Sequence, residues 1–232
     1  MSWNKIYAIF NKQLKDTLKN KSVLIQFVMF PIMAIIMQTS VKMEGLAENY
    51  FVTLFASMYI AMAPIISMSA IISEEKEKNT LRVLLMSNVK PMEYLIGVGG
   101  YVFLICMVGS LVFAKVGHYQ GAELLQFLAI MAIGIIISVL IGAAIGTWSK
   151  NEMMATSITV PVMMIFSFLP MLATFNAAIK KVGVFAYSQQ IYSLMNEVGK
   201  IHISTECILV MITNFVIILV LFVTAYRRSG LA

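Results

Sequence analysis

Six stretches carry apolar side chains almost without interruption: Ser22–Ser40, Tyr50–Ile72, Tyr94–Val116, Leu124–Gly146, Thr156–Ala178 and Cys207–Tyr226. Each has about the 20 residues a helix needs to cross a hydrocarbon core of roughly 30 Å. Membrane β-strands would instead alternate apolar and polar at every second position. The pattern predicts an all-α polytopic membrane protein with six transmembrane helices. Pro31, Pro64, Pro161 and Pro170 lie inside these runs. Lipid-embedded helices tolerate proline where neighbours satisfy the freed carbonyls, so these positions are expected kinks.

Outside the spans the pattern changes period. Trp3, Ile6, Tyr7, Phe10, Leu14 and Leu18 recur at spacings of three and four, with Lys5, Lys12, Lys15 and Asp16 on other faces. Residues 1–21 therefore predict an amphipathic helix lying at the membrane surface. It serves either as a topology-setting tail or as an element that also touches a partner. Between the fifth and sixth spans, residues 179–206 form the longest connection, and Ile191, Leu194, Met195 and Val198 follow helical spacing there. That segment is either a structural cap or a gate. Within the fourth span, Gly134, Ser138, Gly142 and Gly146 repeat every four positions, a ladder that brings helix backbones close in lipid. The ladder serves packing inside one subunit or between two.

Composition agrees with lipid as the main solvent. The chain is 60% hydrophobic and 12% charged, with a mean hydropathy of +0.87, whereas soluble domains carry about 25% charged residues. Of the 17 lysines and arginines, most lie in the tail (Lys5, Lys12, Lys15, Lys19, Lys21), the second loop (Lys76, Lys78, Arg82, Lys90), the fourth loop (Lys150) and the end of the chain (Arg227, Arg228). The other side holds Lys42, Lys115, Lys180, Lys181 and Lys200. The positive-inside rule then places both termini and the second loop in the cytoplasm. Topology thus accounts for the net charge of +6, and nucleic-acid binding is not needed to explain it. The first apolar run starts late and lacks a small-x-small exit site, so it reads as an anchor.

The chemistry is sparse. The spans hold no Asp, Glu, Arg or His away from their ends, which argues against ion-coupled transport. The polar side chains within them, among them Gln26, Thr53, Ser57, Ser167 and Asn214, read as interhelical hydrogen bonds. His118 and His202 fall in outer loops and offer no nucleophile–base pair. Cys106 and Cys207 are far apart and give no metal-ligand cluster. No G-x-x-x-x-G-K-[ST] phosphate loop is present. No catalytic, metal or cofactor-binding residues are expected in this chain, and energy for active transport would have to come from another polypeptide.

The dense charge cluster is Ser73-Glu74-Glu75-Lys76-Glu77-Lys78-Asn79-Thr80, directly after the second span. Glu74, Glu75 and Glu77 are expected to continue that helix into water, with Lys76 and Lys78 limiting repulsion. Thr80 can cap a short helix on which Leu81, Leu84 and Leu85 share a face, Arg82 pointing elsewhere. Asn88 and Pro91 would end it. Residues 73–93 thus form either a loop whose leucines fold back onto the membrane or a rigid lever that docks a soluble partner.

The run continues Leu81-Arg82-Val83-Leu84-Leu85-Met86-Ser87-Asn88-Val89-Lys90-Pro91-Met92-Glu93-Tyr94-Leu95-Ile96-Gly97. It resembles the hallmark segment of type-two ATP-binding-cassette permeases, in which the second span is followed by an acidic stretch, a Thr-Leu pair, a second leucine pair, Ser-x-Val and Glu-Tyr-x-x-Gly. The six-span layout, the amphipathic tail and the helix before the last span fit as well. Where Asn79, Asn88 and Val98 stand, that family often has glycine, proline and lysine.

The resemblance implies a permease subunit of an ATP-driven exporter in the cell membrane, that of a bacterium. The segment Thr80–Met86 would seat on a separate cytoplasmic ATPase subunit that binds ATP and magnesium. Coupling would fall to Glu74, Glu75, Glu77, Thr80, Leu81, Arg82, Leu84 and Leu85. Trp3, Ile6, Tyr7 and Phe10 would give a second contact. Two ATPases and two permeases, identical or homologous, would form the working unit, with cargo leaving between the permeases. A lipophilic or amphipathic cargo such as a drug or antimicrobial peptide suits the apolar spans. The reading from another class is a membrane scaffold or sensor that recruits a soluble partner through residues 73–93.

Overall fold

The computed structural model describes residues 2–19, 21–41, 49–200 and 204–228, with side chains of 21–23 outside that description. Lys42, His202 and the Lys21 side chain, assigned above to loops and tail, fall outside it. The described helices are α1 (Trp3–Lys19), α2 (Lys21–Ser40), α3 (Tyr50–Glu77), α4 (Thr80–Met86), α5 (Pro91–Val116), α6 (Gly121–Trp148), α7 (Glu152–Phe175), α8 (Ala177–Gly183), α9 (Tyr187–Asn196) and α10 (Thr205–Arg228). No strand occurs among the described residues. Five helices, α3, α5, α6, α7 and α10, are each long and apolar enough to cross a membrane. The apolar part of α2, Leu24–Ser40, taken with α1, gives a sixth candidate span.

The helices overrun the apolar stretches because flanking residues add turns and caps. α3 continues through Ser73–Glu77 into the charged cluster. α7 begins early, where the Asn151 side chain accepts the Met154 N–H at 2.9 Å, and it stops at Phe175 instead of reaching Ala178. Asn176 causes that stop, its Oδ1 accepting the Ala178 and Ile179 N–H groups at 2.9 and 3.3 Å to start α8. A side-chain acceptor there replaces the carbonyl a continuing helix would use.

α3 is the axis of the bundle and packs against α2, α5, α6, α7 and α9. Of its most apolar stretch 78% is buried, against 11% for α10, which stands at the periphery against α6 and α9. The small-residue ladder of α6 faces α3 in the same chain. A Cβ at Gly142 would lie 2.7 Å from the Ile65 carbonyl oxygen, and one at Gly146 2.8 Å from Ile72 Cβ. Ser138, on the same helix, hydrogen-bonds the Tyr187 hydroxyl at 2.7 Å.

That bond also locates α9. Ser138 lies about 25 Å along α6 from Gly121 at 1.5 Å per residue, past the helix midpoint. The start of α9 therefore dips deep into the bundle, with Tyr187 and Ile191 wholly buried. Its other end returns outward, where Asn196 accepts from the Thr53 hydroxyl at 3.1 Å near the start of α3. The helical spacing of Ile191, Leu194 and Met195 serves an inserted helix and not a cap resting on the surface.

Candidate functional site

The last turn of α3 presents Glu74, Glu75, Lys76 and Glu77 in succession. Consecutive helical residues diverge by about 100°, so one turn reaches four directions, and each side chain takes a different partner. Glu74 pairs with Lys78 one turn on, and that carboxylate holds the Lys78 ammonium above its usual range. Glu75 is buried at 6% exposure. Its carboxylate accepts from Lys12 Nζ and, at 2.8 Å, from Gln13 Nε2 of α1, and the Tyr94 hydroxyl of α5 lies beside it. A buried carboxylate persists only when donors compensate it; here α1 supplies them.

Lys76 does not neutralise its acidic neighbours. Its ammonium donates to the Thr147 and Ser149 carbonyls at 2.6 and 2.5 Å, closing the C-terminal end of α6 where the helix dipole favours a cation. Glu77 accepts the Glu152 N–H at 2.8 Å, the matching arrangement of an anion at the N-terminus of α7. The turn therefore ties the middle of α1 and the ends of α6 and α7 to α3.

Asn79 then takes a left-handed φ of 57° and separates α3 from α4. Asparagine and glycine tolerate this region best, so Asn79 and the glycine often found there in the resembled segment meet one geometric need. Thr80 is the first residue of α4 and not its cap; its hydroxyl donates to the Glu75 carbonyl at 3.1 Å. Leu81, Leu84 and Leu85 do share a face, and it points into the chain's own bundle: Leu81 is 2% exposed and the other two pack half-buried on the core. The outward face is Arg82, Val83 and Met86, with Met86 80% exposed.

α4 closes with a turn that a proline could not make. The Val89 N–H bonds the Leu84 carbonyl at 3.3 Å and the Asn88 N–H the Leu85 carbonyl at 3.1 Å, while Asn88 has φ 65°. This is a Schellman closure. Proline, fixed near −65° and lacking an N–H, fits neither requirement, so this turn differs from the proline form of the resembled segment. Glu93 caps the next helix, its carboxylate accepting the Lys90 N–H at 3.0 Å and the Ser2 N–H at 2.5 Å.

α1 binds this assembly along its length. Lys5 Nζ donates to the Asn88 carbonyl at 2.5 Å, and the Tyr101 hydroxyl donates to Thr17 Oγ1 at 2.5 Å. Ile6, Ile9, Gln13 and Thr17 form its buried stripe, and Gly97 of α5 admits Ile9, to which an added Cβ would come within 2.9 Å. Of the residues expected to contact a partner, Ile6 is buried and Phe10 meets Tyr101 edge-on at 5.9 Å. Trp3 and Tyr7 are exposed, but they share a flank with Leu14 and Leu18, opposite the flank of Lys5, Lys12 and Asp16 that faces the charged turn.

Lys12, Gln13 and Glu152 complete the site with no role assigned from sequence, as their partners are far away in the chain. Val83 and Met86 could have been found as the face opposite the three leucines. Together, the bundle and the tied end of α3 define a multi-pass α-helical membrane protein in which the short helix α4 is braced from behind and bare in front. The family described as ABC-2 family transporter protein matches residues 2–227. The chain belongs to that family and is an ABC-type membrane transport subunit. A search of curated proteins finds no match.

Proposed function

We propose that this chain is the permease subunit of an ATP-driven exporter and that a cytoplasmic ATPase docks on Arg82, Val83 and Met86 of α4. The observation that carries this reading is the pairing of an exposed apolar tip with a base tied to α1, α6 and α7. A push on α4 passes directly into three other helices, since hydrogen-bonded helix ends transmit displacement that a free loop would absorb. The inward leucines and Glu75 serve by bracing the lever, and Trp3 and Tyr7 anchor α1 in the membrane interface.

In the working unit two ATPases, carrying ATP and magnesium, act on two permeases in the bacterial cytoplasmic membrane. The apolar exposed face of α7, with Met153, Val160, Met164 and Ile165, is suited to meet the second permease. At its inner end an open cavity of about 680 Å³ is lined by Glu77, Glu152, Met153, Thr156 and Ser157, a point of entry for amphipathic cargo.

The test is co-purification of the ATPase with the permease, followed by ATP-driven efflux from vesicles. Val83→Asp and Met86→Asp are expected to release the ATPase while the permease keeps its melting temperature. Retention of the ATPase by both variants defeats the assignment.

A further inference from the structure

The periphery of the bundle holds a feature unrelated to the charged turn. α10 packs on α6 and α9 while α7 packs on α3, and between α7 and α10 runs a groove of about 460 Å³ floored by α6. Its walls include Ile141, Ile145 and Trp148 of α6, Val162 and Phe166 of α7, and Leu221 of α10. Asn214 closes the deep end. Its amide nitrogen donates to the Phe185 and Val210 carbonyls at 2.8 and 2.9 Å, so both amide hydrogens are engaged.

The dimensions select the occupant. From Asn214 to Leu221 the groove runs about 10.5 Å at 1.5 Å per residue, within one leaflet of a core roughly 30 Å thick. Volume over length gives a cross-section of roughly 45 Å², a narrow apolar trough open along one side that an extended acyl chain can fill. Charge fixes the rest. Asn214, Leu221 and Arg228 recur at seven-residue intervals on one face of α10, which places Arg228 beyond the mouth of the groove. Lys150 follows Trp148 at the same end, and both cations are exposed. The nearest acid in sequence, Glu152, lines a separate cavity with Glu77 and Ser157.

We propose that this groove is a binding site for an anionic phospholipid of the leaflet at that end, its acyl chain in the groove and its phosphate on Arg228 and Lys150. The site stands independently of how α4 engages a partner.

Trp3 and Trp148 are the two tryptophans of the chain, so Trp3→Phe leaves a single fluorophore on the groove wall. This variant is placed in vesicles of equal phosphatidylcholine and phosphatidylglycerol, with acyl-chain bromine on one lipid or the other. Brominated phosphatidylglycerol is expected to quench Trp148 several-fold more effectively. Adding Arg228→Gln should cut that preference about fivefold, the factor equivalent to ~1 kcal/mol per cation at a membrane surface. Arg227→Gln, off the groove face, should preserve most of it. Equal quenching by both lipids would overturn the proposal as non-selective surrounding lipid. Quenching by neither would overturn it as a groove covered by protein, such as a second copy.

Discussion

The contact between α6 and α3 gives a sharp test of how this bundle is held together. Gly142→Ala adds one methyl group at the closest approach of the two helices. That carbon would lie 2.7 Å from the Ile65 carbonyl oxygen, 2.9 Å from Met68 Cβ and 3.1 Å from Ile65 Cα. These are backbone or first side-chain atoms, so no rotamer change relieves the clash and the helices must move apart. Overpacking of this kind costs about 1–3 kcal/mol, offset by the roughly 0.5–1 kcal/mol that alanine gains over glycine in a helix. The net expectation is a loss of about 0–2.5 kcal/mol. Gly100→Ala on α5 is the control, because its Cβ meets nothing within 4 Å; it should gain about 0.5–1 kcal/mol. Unfolding of the purified protein in detergent, followed by far-ultraviolet circular dichroism, measures both. If Gly142→Ala proves as stable as Gly100→Ala, the close approach of α3 and α6 is not what joins them.

Leu81→Ala should cost about 2–5 kcal/mol in the same assay, whereas Met86→Ala, on the bare side of α4, should stay within about 0.5 kcal/mol; the reverse order would mean that α4 is turned the other way. Asn88→Pro should destabilise by more than about 1 kcal/mol, since it needs a positive φ and a donated N–H that proline lacks. Asn79→Gly should be neutral or slightly stabilising, and equal effects of the two changes would contradict the left-handed turns that bound α4.

The spans are readable in the sequence because a helix in lipid must be apolar over its length whatever its neighbours are. Facing is harder to read. The spacing of Leu81, Leu84 and Leu85 announces a covered face, but a partner's groove, a membrane surface and the chain's own core all favour the same spacing, and the core covers it. Ile191, Leu194 and Met195 show the same ambiguity, which the structure resolves by burying Tyr187 against Ser138. The partners of Glu75 are invisible in the sequence because Gln13 lies 62 residues away. Lys76 reads in sequence as a counter-ion for its neighbours, because short-range charge patterns say nothing of a helix end approaching from elsewhere. Asn88 is legible as a helix end, and its left-handed backbone is the physical cause; Asn79 takes the same backbone just before α4.

The four side chains that fan out from the end of α3 depend on angular phase as well as on identity. Removing one of them releases a single neighbour. Inserting or deleting one residue upstream in α3 would rotate the whole fan by about 100° and misdirect all four at once, so the helix's length between core and charged end behaves as a gear setting, fixed more strictly than any residue within it.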